Sequence, residues 1–374
     1  MKTKIQLFVA FLLLAVGALW LTSCSSEDAV QGSGSQADAS LTLTINTGKV
    51  GSRATAWTKD PAGSDKTQTE NKINRLTVGI FSSDGSTVKT IVELTPGQTG
   101  GNTLSTDGTT VLVAVNAPTG KFAGVANATA FKAVEEDAKD ALTDGSSEAT
   151  EIATNVPMFG ENTLSGTGSA FTAAVSVQHQ LAKITLDDLE VAFDANGPYK
   201  EAEFTPTEFF LVNVPEKLAF NSDAWVNGVG HLYGMSSTTY PSLTAATEWG
   251  TYKEYLSSAA TGSTALKGTS DTYASKSYFY VTPCDDASTN GKMKLIIAGT
   301  FKTNSSDAGT TVFYPVAINA TYAEDGTPSA ATNGGTDVFK VYPNKNYKCK
   351  VVIKTIGTID PTKNLDPQTA TVTV

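Results

Sequence analysis

Cysteine and histidine are scarce in this 374-residue chain, which has three cysteines and two histidines. With Cys24 set aside, the spacing of Cys284, Cys349, His179 and His231 is not that of a metal site. Charged residues make up only 17% of the chain, no basic block interrupts it, and its formal net charge is −10. Because phosphate binding needs clustered Lys and Arg, this composition excludes nucleic acid and anionic lipid headgroups as partners.

Motifs of catalysis are also missing from the sequence. No G-x-S-x-G nucleophile elbow occurs, and the glycine-rich stretches at 32–34 and 166–168 neither follow a strand nor open a helix, as a phosphate cradle must. The histidines lie outside nucleophile motifs, and nothing singles out a pair of acids for glycoside hydrolysis. We therefore predict that the protein is not an enzyme and needs no metal and no cofactor.

One apolar run stands out, over residues 5–21, and no later run approaches the roughly 20 residues that span a bilayer. Lys2 and Lys4 precede it, and Leu21-Thr22-Ser23-Cys24 closes it. This layout predicts a lipoprotein signal peptide over 1–23, with Cys24 acylated after cleavage. The alternative is an ordinary secretory signal followed by a chance cysteine. Removal of residues 1–23 takes away two lysines and makes the net charge −12.

The body of the chain is rich in Thr, Ser, Gly and Ala and carries many short Val/Ile/Thr segments. This favours an exported, mainly β protein built of β-sandwiches over a cytosolic enzyme. About 350 mature residues predict two domains, each large enough for its own core.

Strand patterns recur along the chain, and an alternating strand lies at each end of the mature part. The first is Leu41 to Thr47, where Leu41, Leu43 and Ile45 share one face. The last is 369–374, where Ala370, Val372 and Val374 share one face. Further strands are predicted at 75–81, 86–93, 110–116, 171–177, 180–193, 204–214, 278–282, 294–301, 312–321 and 346–355.

One helix is predicted over residues 128–142, with Phe131, Val134, Ala138 and Leu142 facing inward and Glu135, Glu136 and Asp137 in solvent. Residues 25–40 indicate a flexible tether, and 48–72 an exposed loop open to proteases. Residues 221–276 indicate a long loop carrying Trp225, Tyr233 and Trp249. These aromatics either line a glycan site or anchor the loop on the core, and anchoring is favoured.

In order and spacing, several pieces of the chain resemble the FimA-type fimbrillins, the shaft subunits of type V pili in Gram-negative anaerobes. The pieces are the lipobox at Cys24, the strand from Leu41 to Thr47, the site Ser52-Arg53-Ala54, and residues 73–78, 113–116, 179–186, 313–316 and 344–353. Together they cover nearly the whole chain.

The resemblance implies two transthyretin-like β-sandwich domains, at 54–178 and 179–374, with one or two short helices in the first. It also implies export to the outer membrane as a lipoprotein. An arginine-specific, gingipain-like protease would then cut between Arg53 and Ala54. Residues 24–53, the tether and first strand, would be removed, and the mature subunit would enter a cell-surface fimbrium. The nearby Arg75, inside a strand, is expected to be protected.

Loss of an edge strand leaves unpaired backbone groups and a hydrophobic trench that a strand of another copy can fill. We predict that 369–374 is the donor, so that copies join head to tail, with fimbrial anchor and tip subunits as further partners. Such a fimbrium would support adhesion and biofilm formation through host or bacterial ligands that the sequence does not identify. The alternatives are an uncleaved anchor or tip lipoprotein, and a glycan-binding surface lipoprotein.

Overall fold

The fold comes from a computed structural model that describes residues 18–21, 40–46, 70–94, 108–143, 155–167, 170–227, 229–235, 256–262, 264–285, 292–322, 328–329, 338–363 and 370–373. Within these ranges, no helix has both the length and the apolar composition that crossing a membrane requires.

The first half of the described chain is built of short strands and two short helices. These are β1 (Ala18–Leu21), β2 (Ser40–Asn46), β3 (Leu76–Phe81), β4 (Val88–Leu94), β5 (Thr110–Val115), α1 (Ala128–Lys132), β6 (Glu135–Asp137), α2 (Ala138–Thr143), β7 (Met158–Thr163), β8 (Ser165–Thr167), β9 (Ala170–Ser176) and β10 (Gln178–His179).

The second half is built of strands. These are β11 (Ala182–Val191), β12 (Glu203–Val212), β13 (Val214–Pro215), β14 (Lys217–Ala219), β15 (His231–Leu232), β16 (Ser257–Ala259), β17 (Leu266–Lys267), β18 (Asp271–Thr272), β19 (Ser277–Val281), β20 (Lys294–Lys302), β21 (Thr310–Ala317), β22 (Thr321–Tyr322), β23 (Pro328–Ser329), β24 (Asn346–Ile353) and β25 (Ala370–Thr373).

Two sheets form the first half, one with the order β10-β7-β5-β3-β4 and one with the order β1-β2-β9-β8. The apolar cluster that joins them takes alternate residues from β3, β5 and β9, among them Val78, Val113 and Val175. The other face of the five-stranded sheet contributes Phe81, Leu112 and Phe159 to a second, larger cluster. The five-stranded sheet is therefore buried on both faces, which explains why β3 and β5 are apolar along almost their whole length.

Two larger sheets form the second half. In one, β11 lies between β24, with which it is parallel, and β18 and β19, with which it is antiparallel, while β25 is the edge strand beyond β24. In the other, β12 pairs with β20, which pairs with β21. Alternate residues of both sheets, such as Ile184, Val351, Phe209 and Tyr314, meet in the larger cluster. These are sheets packed face to face around a shared core.

The predicted single helix over 128–142 is wrong. The chain instead forms α1, capped by the Asn127 side chain that accepts from the amide of Ala130, then β6, then α2. β6 pairs antiparallel with β14, from more than 75 residues further along the chain. Glu136, predicted to be in solvent, is 2% exposed. Pairing with a distant strand outweighs the local helical pattern, because propensity is a weak preference that tertiary contacts override.

The predicted mainly β fold with one or two short helices near the N-terminal side is confirmed. Its larger core cluster runs from Phe81 to Ile353 and so takes residues from both predicted domains. The boundary between 178 and 179 stays a prediction.

Candidate assembly site

The feature that bears most directly on assembly is the pairing of the first predicted strand. β2 runs parallel to β9 with seven aligned positions, from Ser40 opposite Ala170 to Asn46 opposite Ser176. In this register, Leu41, Leu43 and Ile45 are aligned with Phe171, Ala173 and Val175. On its other side β2 pairs with β1, which lies within the predicted signal peptide. Once a signal peptide over 1–23 is removed, β9 is the one described neighbour left to β2.

β9 itself is an amphipathic strand with one face in the core. Ala173 and Val175 are 3% and 0% exposed, whereas the alternating residues Thr172 and Ala174 are exposed. Gly160 of β7 makes this packing possible, because a Cβ on it would lie 2.9 Å from Val175 Cγ1 and closer still to the Ser176 carbonyl. The backbones of β7 and β9 therefore approach too closely for any side chain at this position.

Vacating the place of β2 would therefore change β9 in two ways. The backbone N–H and C=O groups that β9 directs toward β2 would lose their partners, and the apolar cluster behind Ala173 and Val175 would lose the strand beside it. Such an edge is a template for a new strand. The vacated edge would offer up to seven aligned positions.

The predicted site residues fall partly outside the described residues. Cys24, Arg53, Ala54 and Val374 lie there, so their assigned roles stay predictions. Leu41, Leu43 and Ile45 lie in β2. Ala370 and Val372 lie in β25.

The predicted donor strand is held by its own chain in this structure. β25 pairs antiparallel with β24 over four positions, from Ala370 opposite Ile353 to Thr373 opposite Lys350. It is the edge strand of its sheet, so one ladder holds it. To act as a donor, β25 must leave four aligned positions on β24, and residues 370–374 can align with at most five of the seven positions on β9.

A buried polar cluster lies just after the predicted cleavage segment, and sequence reasoning missed it. We call it the junction cluster and define it as Glu70, His179, Lys183, Tyr280 and Asn344. Lys183 Nζ lies 3.1 Å from Glu70 Oε1, and neither side chain is exposed. The hydroxyl of Tyr280 donates to the same oxygen. Residue 70 was predicted to lie in an exposed loop, and this is wrong.

The histidine of the junction cluster links three segments of the chain. His179 Nε2 lies 3.1 Å from the Glu70 carbonyl oxygen, and its Nδ1 lies 3.1 Å from Oδ1 of Asn344. Burial lowers the pKa of His179, against the opposing effects of its contacts with Asn344 and Glu70. The charge of Lys183 nearby lowers it further. Residue 70 is thereby fixed to the β10–β11 connection and to the loop before β24.

A second polar anchor holds the chain between Glu70 and β3. Asn116, at φ 60° and 1% exposed, accepts from the amide of Asn74 at 2.8 Å. Its side-chain NH₂ donates to the carbonyls of Lys72 and Val156, both at 2.9 Å. The segment before β3 and the segment before β7 thus meet at one side chain that follows β5.

Arg75 lies just before β3 and is held by contacts with the backbone. Its Nε donates to the carbonyl of Ala117 at 2.9 Å, and one terminal nitrogen donates to the carbonyl of Asn116 at 3.3 Å. A protease needs an extended, accessible backbone around its target arginine. These contacts give a physical reason for the expected protection of Arg75.

Two described aromatic residues of the long predicted loop, Trp225 and Tyr233, contact different parts of the protein. Trp225 Nε1 donates to the carbonyl of Val341 at 3.3 Å, and its ring lies 5.1 Å from that of Tyr342. This anchors the loop on the segment before β24, as favoured from the sequence. Tyr233 is half-buried against the apolar cluster of Phe210 and Ile296, and Trp249 lies outside the described residues.

The two cysteines of the body are both buried and do not form a disulfide with each other. Cys349 lies in β24, and burial raises the pKa of its thiol to about 12. Both residues are part of the larger core cluster, so they serve packing here.

Comparison with known proteins finds one family model that matches the sequence over less than half of the chain. Residues 39–187 match the model of the family described as the major fimbrial subunit protein (FimA). The matched range starts next to β2 and ends within β11, so it includes both strands of the parallel pair. No curated protein matches the chain in sequence.

Solved structures share the fold over most of the chain. A candidate cell adhesion protein from Bacteroides eggerthii is 22% identical, with 91% of this chain and 96% of that chain covered and a TM-score of 0.55. One from Parabacteroides distasonis is 13% identical, with 89% and 95% covered and a TM-score of 0.57. A fimbrilin (FimA) from Porphyromonas gingivalis is 18% identical, with 89% and 96% covered and a TM-score of 0.50.

The predicted resemblance to FimA-type fimbrillins is thus confirmed. The family match supports a fimbrial structural role, implies a cell-surface fimbrium, and points to a structural protein that is not an enzyme.

The junction cluster yields a stability prediction. Replacing Glu70 with Ala leaves the Lys183 ammonium buried without its counterion, so the free energy of unfolding should fall by about 3–5 kcal/mol. The double variant Glu70→Leu with Lys183→Met removes both charges and should recover most of that loss. Urea denaturation of the single and double variants measures the difference.

The exposed pair Lys217–Glu135, with an N–O distance of 3.0 Å and side chains 35% and 43% exposed, is the matched control. Glu135→Ala should cost at most about 1 kcal/mol. Equal losses for the Glu70 and Glu135 variants would contradict the assignment of a buried, tightly coupled pair.

The junction cluster also yields a pH prediction. Burial lowers the pKa of His179 from its ordinary 6.5. His179 in the unfolded chain is therefore protonated below about pH 6.5, whereas in the folded chain it is protonated only at lower pH. Stability should therefore fall as the pH drops below about 6.5, by at most about 1.4 kcal/mol per pH unit from this group. His179→Gln should remove that part of the slope in denaturation curves between about pH 7.5 and 5.5. Identical slopes for wild type and variant would show that His179 does not contribute.

Proposed function

We propose that this protein is a fimbrial shaft subunit that polymerises by strand exchange after proteolysis. The precursor is exported as a lipoprotein acylated at Cys24. An arginine-specific protease cuts between Arg53 and Ala54, and the segment that carries β2 leaves with the lipid. Residues 370–374 of a second copy then occupy the place of β2 beside β9. Repetition of this contact builds a filament, because a head-to-tail interface does not close on itself.

The observation that carries the proposal is the position of β2. In the lipoprotein without residues 1–23, β2 would be an edge strand bound to β9 by one ladder. A strand held on one side is the kind of element that can leave without dismantling a sheet. The core cluster behind β9 takes its described members from strands that follow Arg53, so cleavage removes none of them.

The junction cluster, which is C-terminal to the predicted cleavage site, also supports the proposal. Glu70 lies 17 residues after Arg53 and is fixed by Lys183 and Tyr280. Asn116 then fixes residues 72 and 74. The mature chain is therefore tied to the core from residue 70 onward, and a new N-terminus at Ala54 leaves these ties intact.

Energetics favour exchange over simple release. Residues 370–374 can align with at most five of the seven positions on β9, which allows about 3–5 ladder bonds at about 1 kcal/mol net each. Burial of an aliphatic side chain in the trench adds roughly 1.5–3 kcal/mol. Four aligned positions on β24 are given up in return. The donor thus exchanges a four-position ladder at a sheet edge for one of up to five positions next to a core.

Arg53→Ala tests the proposal. Wild-type protein treated with an arginine-specific protease should give a chain that begins at Ala54 and forms filaments, whereas the variant should do neither. Lys49→Ala, which removes a cation from the same segment and keeps Arg53, is the matched control and should behave as wild type. Mass spectrometry identifies the N-terminal residue, and negative-stain electron microscopy detects the filaments.

Two outcomes contradict the proposal. Filaments that grow unchanged from Arg53→Ala would show that cleavage at this site is unnecessary. Surface protein that begins at acylated Cys24 in the assembled fimbrium would assign the chain to an anchor or tip role instead.

A further inference from the structure

Residues 354–363 form a strap between β24 and β25. The strap leaves the sheet of β24, crosses to the outer edge of β21 in the facing sheet, and the chain then returns to pair as β25 with β24. At the crossing, the backbones of Phe313 and Thr358 exchange two hydrogen bonds, at 2.7 and 3.0 Å. The strap thereby covers the edge of β21.

The strap is fastened along its whole length. The Tyr314 hydroxyl donates to the carbonyl of Thr355 at 2.9 Å. Gly357 lies against the same strand so closely that a Cβ would come within 2.6 Å of the Phe313 carbonyl oxygen. Near the far end, the buried Lys294 Nζ donates to the carbonyl of Thr362 at 2.8 Å. Release of β25 from β24 breaks none of these contacts, so the strap stays in place when the donor leaves.

The strap also carries an apolar surface. Across the part of the chain that the structure describes, the large hydrophobic side chains that are exposed are Ile356 and Ile359, at 37% and 78%. They flank Thr358, the residue that pairs with β21. Elsewhere the described apolar side chains of this size are buried or half-buried, so two exposed isoleucines three residues apart stand out.

The length of the connection indicates what covers this surface. Seven residue steps separate Lys363, at the fixed end of the strap, from Ala370, the first residue of β25. A fully extended chain spans at most about 25 Å over seven steps. If residues 370–374 enter the β9 edge of another copy, that copy must lie within this distance of the strap. The receiving copy then lies next to the strap from which the donor extends.

We propose that Ile356 and Ile359 form a second contact with the subunit that receives the donor strand, outside the β9 groove. This inference rests on the proposed strand exchange and adds a docking surface to it. The strap is the fixed base from which the donor extends, and its isoleucines pack on the neighbouring copy. The contact would orient successive subunits. A single inserted strand, connected to the strap through the six residues 364–369, does not fix that orientation by itself.

A photo-crosslinking amino acid at position 359 tests the contact directly. In filaments grown from cleaved protein it should join two copies of the chain, and in uncleaved monomer it should not. Ser305, in the exposed turn between β20 and β21 of the same sheet, is the control position and should give no such product. Peptide mapping of the product identifies the patch on the receiving copy.

Ile359→Asp tests how much the contact contributes. It should raise the protein concentration at which cleaved chains form filaments by about tenfold or more, because one buried aliphatic side chain is lost from every junction. Ser305→Asp adds the same charge away from the strap and should leave that concentration unchanged. The melting temperature of the variant monomer should equal that of wild type, since residue 359 is exposed in the monomer.

The outcomes separate this inference from the function on which it rests. If cleaved wild type forms filaments while the position-359 probe captures no second copy, the docking surface is refuted and strand exchange stands. Unchanged filament formation by Ile359→Asp refutes the docking surface in the same way. If cleaved wild type forms no filaments at all, both proposals fall.

Discussion

The parallel ladder between β2 and β9 is the contact on which the account of assembly depends. Parallel pairs usually join strands with a long connection between them, and here about 120 residues separate the two. β2 therefore belongs to its sheet through its backbone pairing, and its covalent link leads away through the segment that contains Arg53. A strand attached in this way can be exchanged for another strand without moving β9, with which it pairs.

The rest of the molecule is arranged so that this exchange leaves the core intact. The five-stranded sheet is buried on both faces and belongs to two core clusters. The junction cluster fixes the chain from Glu70 onward to β11, β19 and the loop before β24. The strap fixes the other end of the chain up to Lys363. Both proposed moving elements, β2 and β25, thus lie outside these two fixed points.

The sequence predicted the strands well where alternation was strong and local. Ile184, Leu186 and Val191 marked β11, and the alternation at 41–47 and 369–374 marked β2 and β25. Prediction from the sequence failed where contacts with distant residues determine the secondary structure or the burial. Residues 135–137 have a helical apolar pattern around them, and β14 converts them into a strand. Glu70 stands in a polar stretch, and its burial depends on Lys183 and Tyr280, which lie more than 100 residues away.

Asparagines near strand ends mark part of the missed site in the sequence. Asn116, Asn213, Asn319 and Asn344 all adopt positive φ, between 54° and 61°, a region that asparagine tolerates better than most residues. The first three donate through Nδ2 to a carbonyl of a distant segment, and each follows the end of a strand. An asparagine within two residues of the end of an apolar strand is thus a candidate anchor. Two of these residues, Asn116 and Asn344, lie in the pieces on which the family resemblance was founded.

The most direct test of the central claim is to identify the strand that lies beside β9 in the assembled filament, by cryo-electron microscopy of fimbriae grown from the cleaved protein. The account predicts that the density next to Phe171, Ala173 and Val175 is traced to residues 370–374 of a neighbouring copy. Density traced to residues 40–46 of the same chain, still in register with β9, would contradict it.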